Sequence, residues 1–369
     1  MQARAKAQFE ANFRPGEGIK LTRFAVSRVD DELMVQATAS VDMSITQIMG
    51  FDTVDVAAVS YAQRGAKKVE VVMALDNTGS MASSNKIVEL RRAATSLLDV
   101  LERSSSDASQ VKVGIVPFAT SVRARPLDFR NASWIDFTNG DGSGTVCTGT
   151  GKKTVCTDNS ANDISKSSWI GCIQDRADPY NKTDAPVVPG SYATMHPAIN
   201  CRQDESQLVY VQPLTPDFSS LRTAITAMKA GGNTNVTIGV AWGHALLSNQ
   251  APFSEGVPYT DTDVSKFLIV LTDGQNTQDR FDNCGTSSTC IGRMNARTKE
   301  ACDTVKATAH QPGQAGITVY TVRVIDGDAN LLRSCASTPD KFFDVQNSSQ
   351  LEKVFIDIGN RISALRISR

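Results

Sequence analysis

The stretch 69–84, VEVVMALDNTGSMASS, constrains this chain more than any other, because an apolar run ends there on a cluster of oxygen-bearing side chains. Residues 69–75 are rich in valine. A short apolar run of this kind predicts a strand buried on both faces, as in a parallel sheet. Asp76-Asn77-Thr78-Gly79-Ser80 follows, so a carboxylate and two hydroxyls stand at i, i+2 and i+4 in one tight loop. Beyond it, Ile87, Leu90, Ala94, Leu97, Leu98 and Leu101 recur with helical spacing and predict a helix over 87–101. The loop thus lies between the carboxyl end of a strand and the start of a helix, where open α/β sheets place ligands.

Three oxygens from one loop suit a hard divalent cation, which accepts hydroxyl, carboxylate and water together. Asp76-x-Thr78-x-Ser80 resembles the metal-ion-dependent adhesion site, D-x-[ST]-x-S, of von Willebrand factor A domains. Two later stretches extend the resemblance. Gly231-Gly232-Asn233-Thr234-Asn235 precedes a helical pattern, and in that family a threonine in such a loop supplies a third hydroxyl. FLIVLTD at 267–273 reads as a second buried strand ending in Asp273-Gly274, where the family places its second carboxylate. The resemblance implies a metal site made of Asp76, Thr78, Ser80, Thr234 and Asp273. It implies Mg²⁺ as the ion, ahead of Mn²⁺ or Ca²⁺.

Further along, VKVGIVPF at 111–118 and residues 317–324 read as strands. Residues 217–230, 237–247 and 303–309 read as helices. Strand and helix alternating in this way mean an α/β fold with a doubly wound, mostly parallel sheet. The whole chain has 369 residues, 41% of them hydrophobic, which is enough for a sizeable core. A net charge of −1 argues against a nucleic-acid footprint. No apolar run is long enough to span a membrane.

Before the central strand, residues 1–13 read as a helix that Pro15-Gly16 ends. Residues 20–29, 33–41 and 51–62 carry β-rich patterns, and Val35, Ala37, Ala39 and Val41 alternate with polar neighbours as in a half-buried antiparallel strand. This gives a helix-plus-meander module over 1–66, too small to hold much core alone. The larger domain, 67–369, is interrupted at 123–213 by a segment rich in Gly, Ser, Thr, Asn and Pro. A structureless loop of that length would be anomalous, so it is expected to be an insertion with its own order.

The combination of a short helix ending Ala11-Asn12-Phe13, a meander containing VDVAAVSYAQR, LDNTGSM, the run 301–306, LLRSCA at 331–336 and a closing helix over 349–365 is similar to the TadG-like proteins of tight-adherence (Flp) pili. The family is a minor, pilin-like component exposed outside the inner membrane. The resemblance implies a periplasmic or cell-surface location and an N-terminal membrane helix preceding residues 2–13, absent here. Met1 then reads as the start of a truncated chain.

Eight cysteines without a CxxC match no zinc spacing, and an even count in a loop-rich extracytoplasmic chain implies disulfides. Proximity along the chain and the family pattern imply Cys147–Cys156, Cys172–Cys201, Cys284–Cys290 and Cys302–Cys335. Such pairs persist in oxidising compartments.

Each site residue also has a plainer reading. Asp76, Thr78 and Ser80 suit a helix cap, Asp273-Gly274 a turn, and Asn77 a turn residue. Thr237 rivals Thr234, although the spacing to Gly239 favours Thr234. The histidines at 196, 244 and 310 are scattered, with His244 on a helix as packing, and Asp279 and Arg280 read as surface charges. An aspartyl-phosphate phosphotransferase would also put an aspartate in such a loop, with Asp326-Gly327-Asp328 as its later acidic segment. Against it, Asn77 replaces the lysine that follows the nucleophile in those enzymes. Ser80 lacks a G-x-S-x-G setting, and no phosphate-binding glycine loop occurs. The expectation is therefore a binding protein, not an enzyme, whose metal takes an acidic side chain of a protein partner. A purely structural pilus-assembly or tip scaffold is the alternative.

Overall fold

The computed structural model describes residues 9, 19–29, 32–42, 53–63, 68–105, 107, 110–138, 145–148, 155–158, 163–310, 313 and 316–367. Contacts divide the chain into two compact units, Met1–Ala66 with Arg369, and Lys67–Ser368.

The first unit is an antiparallel meander of β1 (Ile19–Val29), β2 (Glu32–Asp42) and β3 (Thr53–Gln63). β2 pairs with β3 from Glu32↔Gln63 to Asp42↔Thr53. None of its described side chains is fully buried, and Val54, Val56 and Val59 stand exposed on β3. Three strands alone bury little. Of the helix expected over 1–13, only Phe9 lies within the described residues; it is helical and packs its ring 5.0 Å from that of Phe24.

The second unit is built on a six-stranded sheet. In chain order its elements are β4 (Lys68–Asp76), α1 (Lys86–Ser104), β5 (Val111–Phe118), β6 (Gln212–Thr215), α2 (Phe218–Ala227), α3 (Val236–Leu247), β7 (Val264–Thr272), α4 (Ser288–Ala307), β8 (Ile317–Val324), α5 (Ala329–Cys335), β9 (Phe342–Val345) and α6 (Leu351–Ile367). The sheet order is β6-β5-β4-β7-β8-β9, with all neighbours parallel except the edge pair β6–β5. From β4 the chain moves outward through β5 to β6, then crosses to β7 on the other side of β4. The winding reverses between β4 and β7, so their carboxyl ends form the crevice of a doubly wound sheet. The register puts Leu75 beside Leu271, which brings Asp76 level with Thr272.

Apolar residues face both ways along these strands. Val69, Val71, Met73 and Leu75 join α1, α2 and α6 through Leu90, Leu97, Leu221, Ile225, Phe355 and Ile358. Val72, Ala74, Leu268 and Val270 join α3 and α4 through Val240, Trp242, Leu246, Ala301 and Val305. Burying each such side chain contributes on the order of 1.5–3 kcal/mol, which outweighs the mediocre helix propensity of β-branched α3. Glu70 interrupts the apolar run because it is ion-paired inside the sheet. Its Oε2 meets Lys266 Nζ, which also donates to the carbonyls of Leu247 and Val257 at 2.8 Å.

Helix α4 begins at Ser288, well before the predicted start at 303. Its buried stripe is Cys290, Met294, Thr298, Ala301, Cys302 and Val305, and three of those six residues carry little hydrophobic signal. Helix α2 stops at Ala227, short of residue 230, and Asp217 caps it by accepting from the Ser219 and Ser220 amides.

The described residues between β5 and β6 have short-range order. Val122–Arg123 pairs with Cys172–Ile173, Ile135–Asp136 pairs with His196–Pro197, and Thr145–Thr148 forms a hairpin with Val155–Asp158. It packs on α3 through Trp134, whose ring lies 6.2 Å from those of both Trp242 and Phe253. Disulfides join Cys172–Cys201, Cys284–Cys290 and Cys302–Cys335. Cys147 stands opposite Cys156 in the hairpin register, but their side chains lie outside the described residues.

Candidate metal centre

Three loops meet at the carboxyl ends of β4 and β7. Loop 77–80 is pinned to loop 231–234 by two backbone bonds, Gly231 N to Asn77 O at 2.7 Å and Gly79 N to Gly232 O at 2.9 Å. The third loop holds the second. Thr277 N donates to Thr234 O at 2.9 Å, and Thr234 N donates to Thr277 Oγ1 at 2.9 Å. Gly232 has φ +86°, and a Cβ there would lie 2.8 Å from Glu205 Cγ, so the turn requires glycine. Glu205 is itself buried beneath the loop, where it accepts from Ser121 Oγ at 2.6 Å and from the Thr120 hydroxyl.

These loops bring the sequence-predicted residues together. Ser80 Oγ donates to Asp273 Oδ1 at 2.6 Å and lies 3.1 Å from Thr78 Oγ1. Thr234 Oγ1 and Ser80 Oγ both border Gly274: a Cβ there would lie 3.0 Å from the first and 3.5 Å from the second. A side chain at Gly274 would crowd the Thr234 hydroxyl. Asp76 accepts the Thr78 amide on Oδ1 at 2.8 Å and the Thr272 hydroxyl on Oδ2. Asp76, Thr78, Thr234 and Asp273 are buried, whereas Ser80 is exposed and opens the cluster to solvent.

Thr237 turns away to meet Thr298 Oγ1 at 2.8 Å and is buried. Asn77 is buried too, and its amide donates to Lys229 O at 3.1 Å. His244 is buried in α3, and burial lowers its pKa. Asp279, expected at the surface, is buried and paired with Arg297 at 2.7 Å, while Arg280 donates to Asp175 O at 3.1 Å. The reversal is physical: the loop after β7 folds back under the insertion, so its charges compensate one another there. Asp282, Cys284 and Cys290 also lie close together, but the two sulfurs are joined and Asp282 is bound by Arg293 and Arg297, which leaves no metal-ligand set.

The electrostatics favour a cation. Burial, and then the nearby charge of Asp273, push the Asp76 carboxyl up to about 6. Lys86 Nζ lies 2.7 Å from Asp273 Oδ2 and pairs with that carboxylate. Two buried carboxylates against one ammonium leave net negative charge in a water-poor rim, a state that a bound cation relieves. All five groups are oxygen donors, the set that Mg²⁺, Mn²⁺ or Ca²⁺ accepts. The residues present therefore fit the ion. Lys86, Thr272 and Thr277 were not singled out from the sequence. Thr272 sits one residue before Asp273 and was legible as a hydroxyl beside the acid; nothing in the sequence pairs Lys86 with position 273.

Residues 205–356 match the family profile of the von Willebrand factor type A domain. The match covers the loops of Thr234 and Asp273, and the sheet supplies the Asp76 loop beside them. The fold is that of a von Willebrand factor type A domain. Among solved structures, the chain is similar to the pilus adhesin SpaC from Lactobacillus rhamnosus GG at 13% identity and a TM-score of 0.43, over 95% of this chain and 36% of that one. It is similar to the vWF domain of the type V pili tip protein Mfa5 from Porphyromonas gingivalis at 11% identity and a TM-score of 0.46, over 82% and 97%. It is also similar to proximal thread matrix protein 1 from the mussel byssus, in a form with a zinc-occupied MIDAS motif, at 11% identity and a TM-score of 0.40, over 80% and 48%. The chain spans about a third of the length of SpaC. No curated protein matches it.

Proposed function

We propose that this von Willebrand factor type A domain is a metal-dependent protein-binding module, with the ion held by Asp76, Thr78, Ser80, Thr234 and Asp273. The observation that carries the reading is the convergence of three hydroxyls and two buried carboxylates, from three separate loops, on a rim that opens to solvent at Ser80. Bound there, a divalent cation such as Mg²⁺ would act as a Lewis acid toward a carboxylate from a partner. The chain's part is to present neutral hydroxyls outward and keep its charges inward. Asp76 is fixed by Thr78 N and Thr272, and Asp273 acts through the Ser80 hydroxyl it accepts from. A carboxylate so enclosed has no approach for a phosphoryl group, which favours binding over the aspartyl-phosphate reading.

The partner is a protein offering an acidic side chain. Within the tight-adherence reading, the 1–66 module belongs to a TadG-like minor pilin, and the 67–369 domain with its 123–213 insertion presents the site at the cell surface or in the periplasm. The disulfides support an oxidising compartment. Among the described residues no helix is long and apolar enough to cross a membrane. The test is affinity capture of periplasmic and surface proteins in Mg²⁺ and again in EDTA, alongside thermal melting. Capture lost in EDTA with an unchanged melting temperature supports metal-dependent binding. Capture that survives EDTA means the site is a structural brace within a scaffold.

A further inference from the structure

Lys86 is a buried ammonium at this rim, and the metal reading leaves it without a role. It is 1% exposed at the first position of α1, with Nζ 2.7 Å from Asp273 Oδ2 and 3.0 Å from Asp326 Oδ2. Asp326 lies in the turn between β8 and α5, and its side chain is 69% exposed. A lysine side chain is rarely buried without a specific task, since its stem usually lets the charge reach water.

The backbone on both sides of this contact is unusual. Among the described residues, the non-glycine positions with positive φ are Ser84 at 51°, Asn85 at 59° and Ile325 at 63°. The first two precede Lys86, and the third precedes Asp326. A β-branched residue at positive φ is a true outlier, and such conformations persist where surrounding structure enforces them, often at ligand clamps. Both segments are held. Ser348 Oγ donates to Ser84 O at 2.8 Å, and Ile325 N donates to Val345 O at 2.6 Å. The turn also lies against the metal loop, since a Cβ on Gly327 would lie 3.1 Å from Gly274 O.

We propose that Lys86 is a built-in counter-charge of the metal centre, and that Asp326 sets how strongly it acts. Lys86 occupies Oδ2 of Asp273 and so commits Oδ1 to the Ser80 hydroxyl. Its fixed positive charge opposes the incoming cation, which keeps the ion weakly held by the protein and open to an external carboxylate. Asp326, reaching Lys86 from the surface, partly offsets that charge. A protein partner or ion that drew Asp326 away would weaken the cation's hold.

The inference rests on the metal reading and carries its own sign. Titration calorimetry of the full chain with Mg²⁺ and with Mn²⁺ provides the test, with a melting curve for each variant. Lys86→Met is expected to bind the cation about tenfold tighter or more, because a like charge is removed and Asp273 is left without its counter-ion. Were Lys86 merely a prop for Asp273, the same variant would bind more weakly; weaker or unchanged binding overturns the proposal. Asp326→Asn changes an exposed side chain and keeps the question answerable should Lys86→Met not fold. It is expected to bind several-fold more weakly, and equal or tighter binding contradicts the proposal. A wild-type chain that binds neither ion removes the metal reading itself, whereas wild-type binding with the wrong sign in the variants removes only the role of Lys86.

Discussion

The rim between β4 and β7 and the segment 123–213 over α3 both bury charged and polar side chains, and they satisfy them to different degrees. At the rim, the carboxylates are tied across loops: Asp76 to Thr78 and Thr272, Asp273 to Ser80 and Lys86. In the 123–213 segment Glu205 is likewise bonded, to Thr120 and Ser121, Asp136 Oδ1 to Thr138 and Asp175 Oδ2 to Asn235, but Asp136 Oδ2, Asp175 Oδ1, the Asn181 carboxamide and both His196 ring nitrogens are buried without a protein partner. There the chain relies on aromatic packing around Trp134 and on the Cys172–Cys201 disulfide. Aromatic packing and a cross-link accompany the unsatisfied groups of the segment, whereas reciprocal hydrogen bonds join the loops of the rim.

The largest effect that sharpens this contrast is at Asp76. Asp76→Ala is expected to abolish Mg²⁺ or Mn²⁺ binding, by at least about 100-fold, with melting temperature and circular dichroism close to wild type. Undiminished binding by calorimetry would remove the rim from consideration. Next is the reverse experiment. Cys172→Ala with Cys201→Ala opens a link of sequence separation 29 and is expected to cost about 3–4 kcal/mol in urea unfolding, without changing cation affinity. A large affinity change would mean the insertion and the rim are coupled after all.

Thr234→Val comes third, with a loss of roughly 10–100-fold in affinity. Thr237→Val should leave affinity alone and cost about 1 kcal/mol of stability, since it loses only the bond to Thr298. The reverse pattern would assign the third hydroxyl to Thr237. The smallest effect is a slope. Burial, and then the Asp279 charge, push the Asp175 carboxyl up to about 7, so the folded chain keeps a proton that the unfolded chain loses, and Asp175 lowers stability as pH rises from about 4 to 7. Burial and Arg176 hold the His196 imidazole well below 6.5, which lowers stability as pH falls beneath 6.5. The two oppose each other. In Asp175→Asn, stability measured by urea unfolding should climb more steeply with pH between about 4 and 6.5, by less than ~1.4 kcal/mol per unit. An unchanged slope would mean Asp175 is already ionised across that range.

Much of the fold was legible because β4, β5, β7 and β8 are short apolar runs bounded by turn residues, a pattern that parallel strands buried on both faces impose. The five rim residues were legible because each sits directly after such a strand or before a helix. Lys86 was not, since its partners Asp273 and Asp326 are remote in sequence and a lysine at a helix start reads as solvated. The start of α4 was hidden because Cys290, Thr298 and Cys302 form half of its buried stripe. Asp279 was misread because its ion-pair partner, Arg297, is remote in sequence and lies on α4.

The most direct test of the account is a crystal structure of the chain soaked in Mn²⁺, read by anomalous scattering at the manganese edge. The account predicts a peak at the solvent-open end of β4 and β7, within bonding distance of oxygen atoms of Ser80 and Thr234. A map with no peak there, or with manganese bound only at surface carboxylates elsewhere, would contradict it.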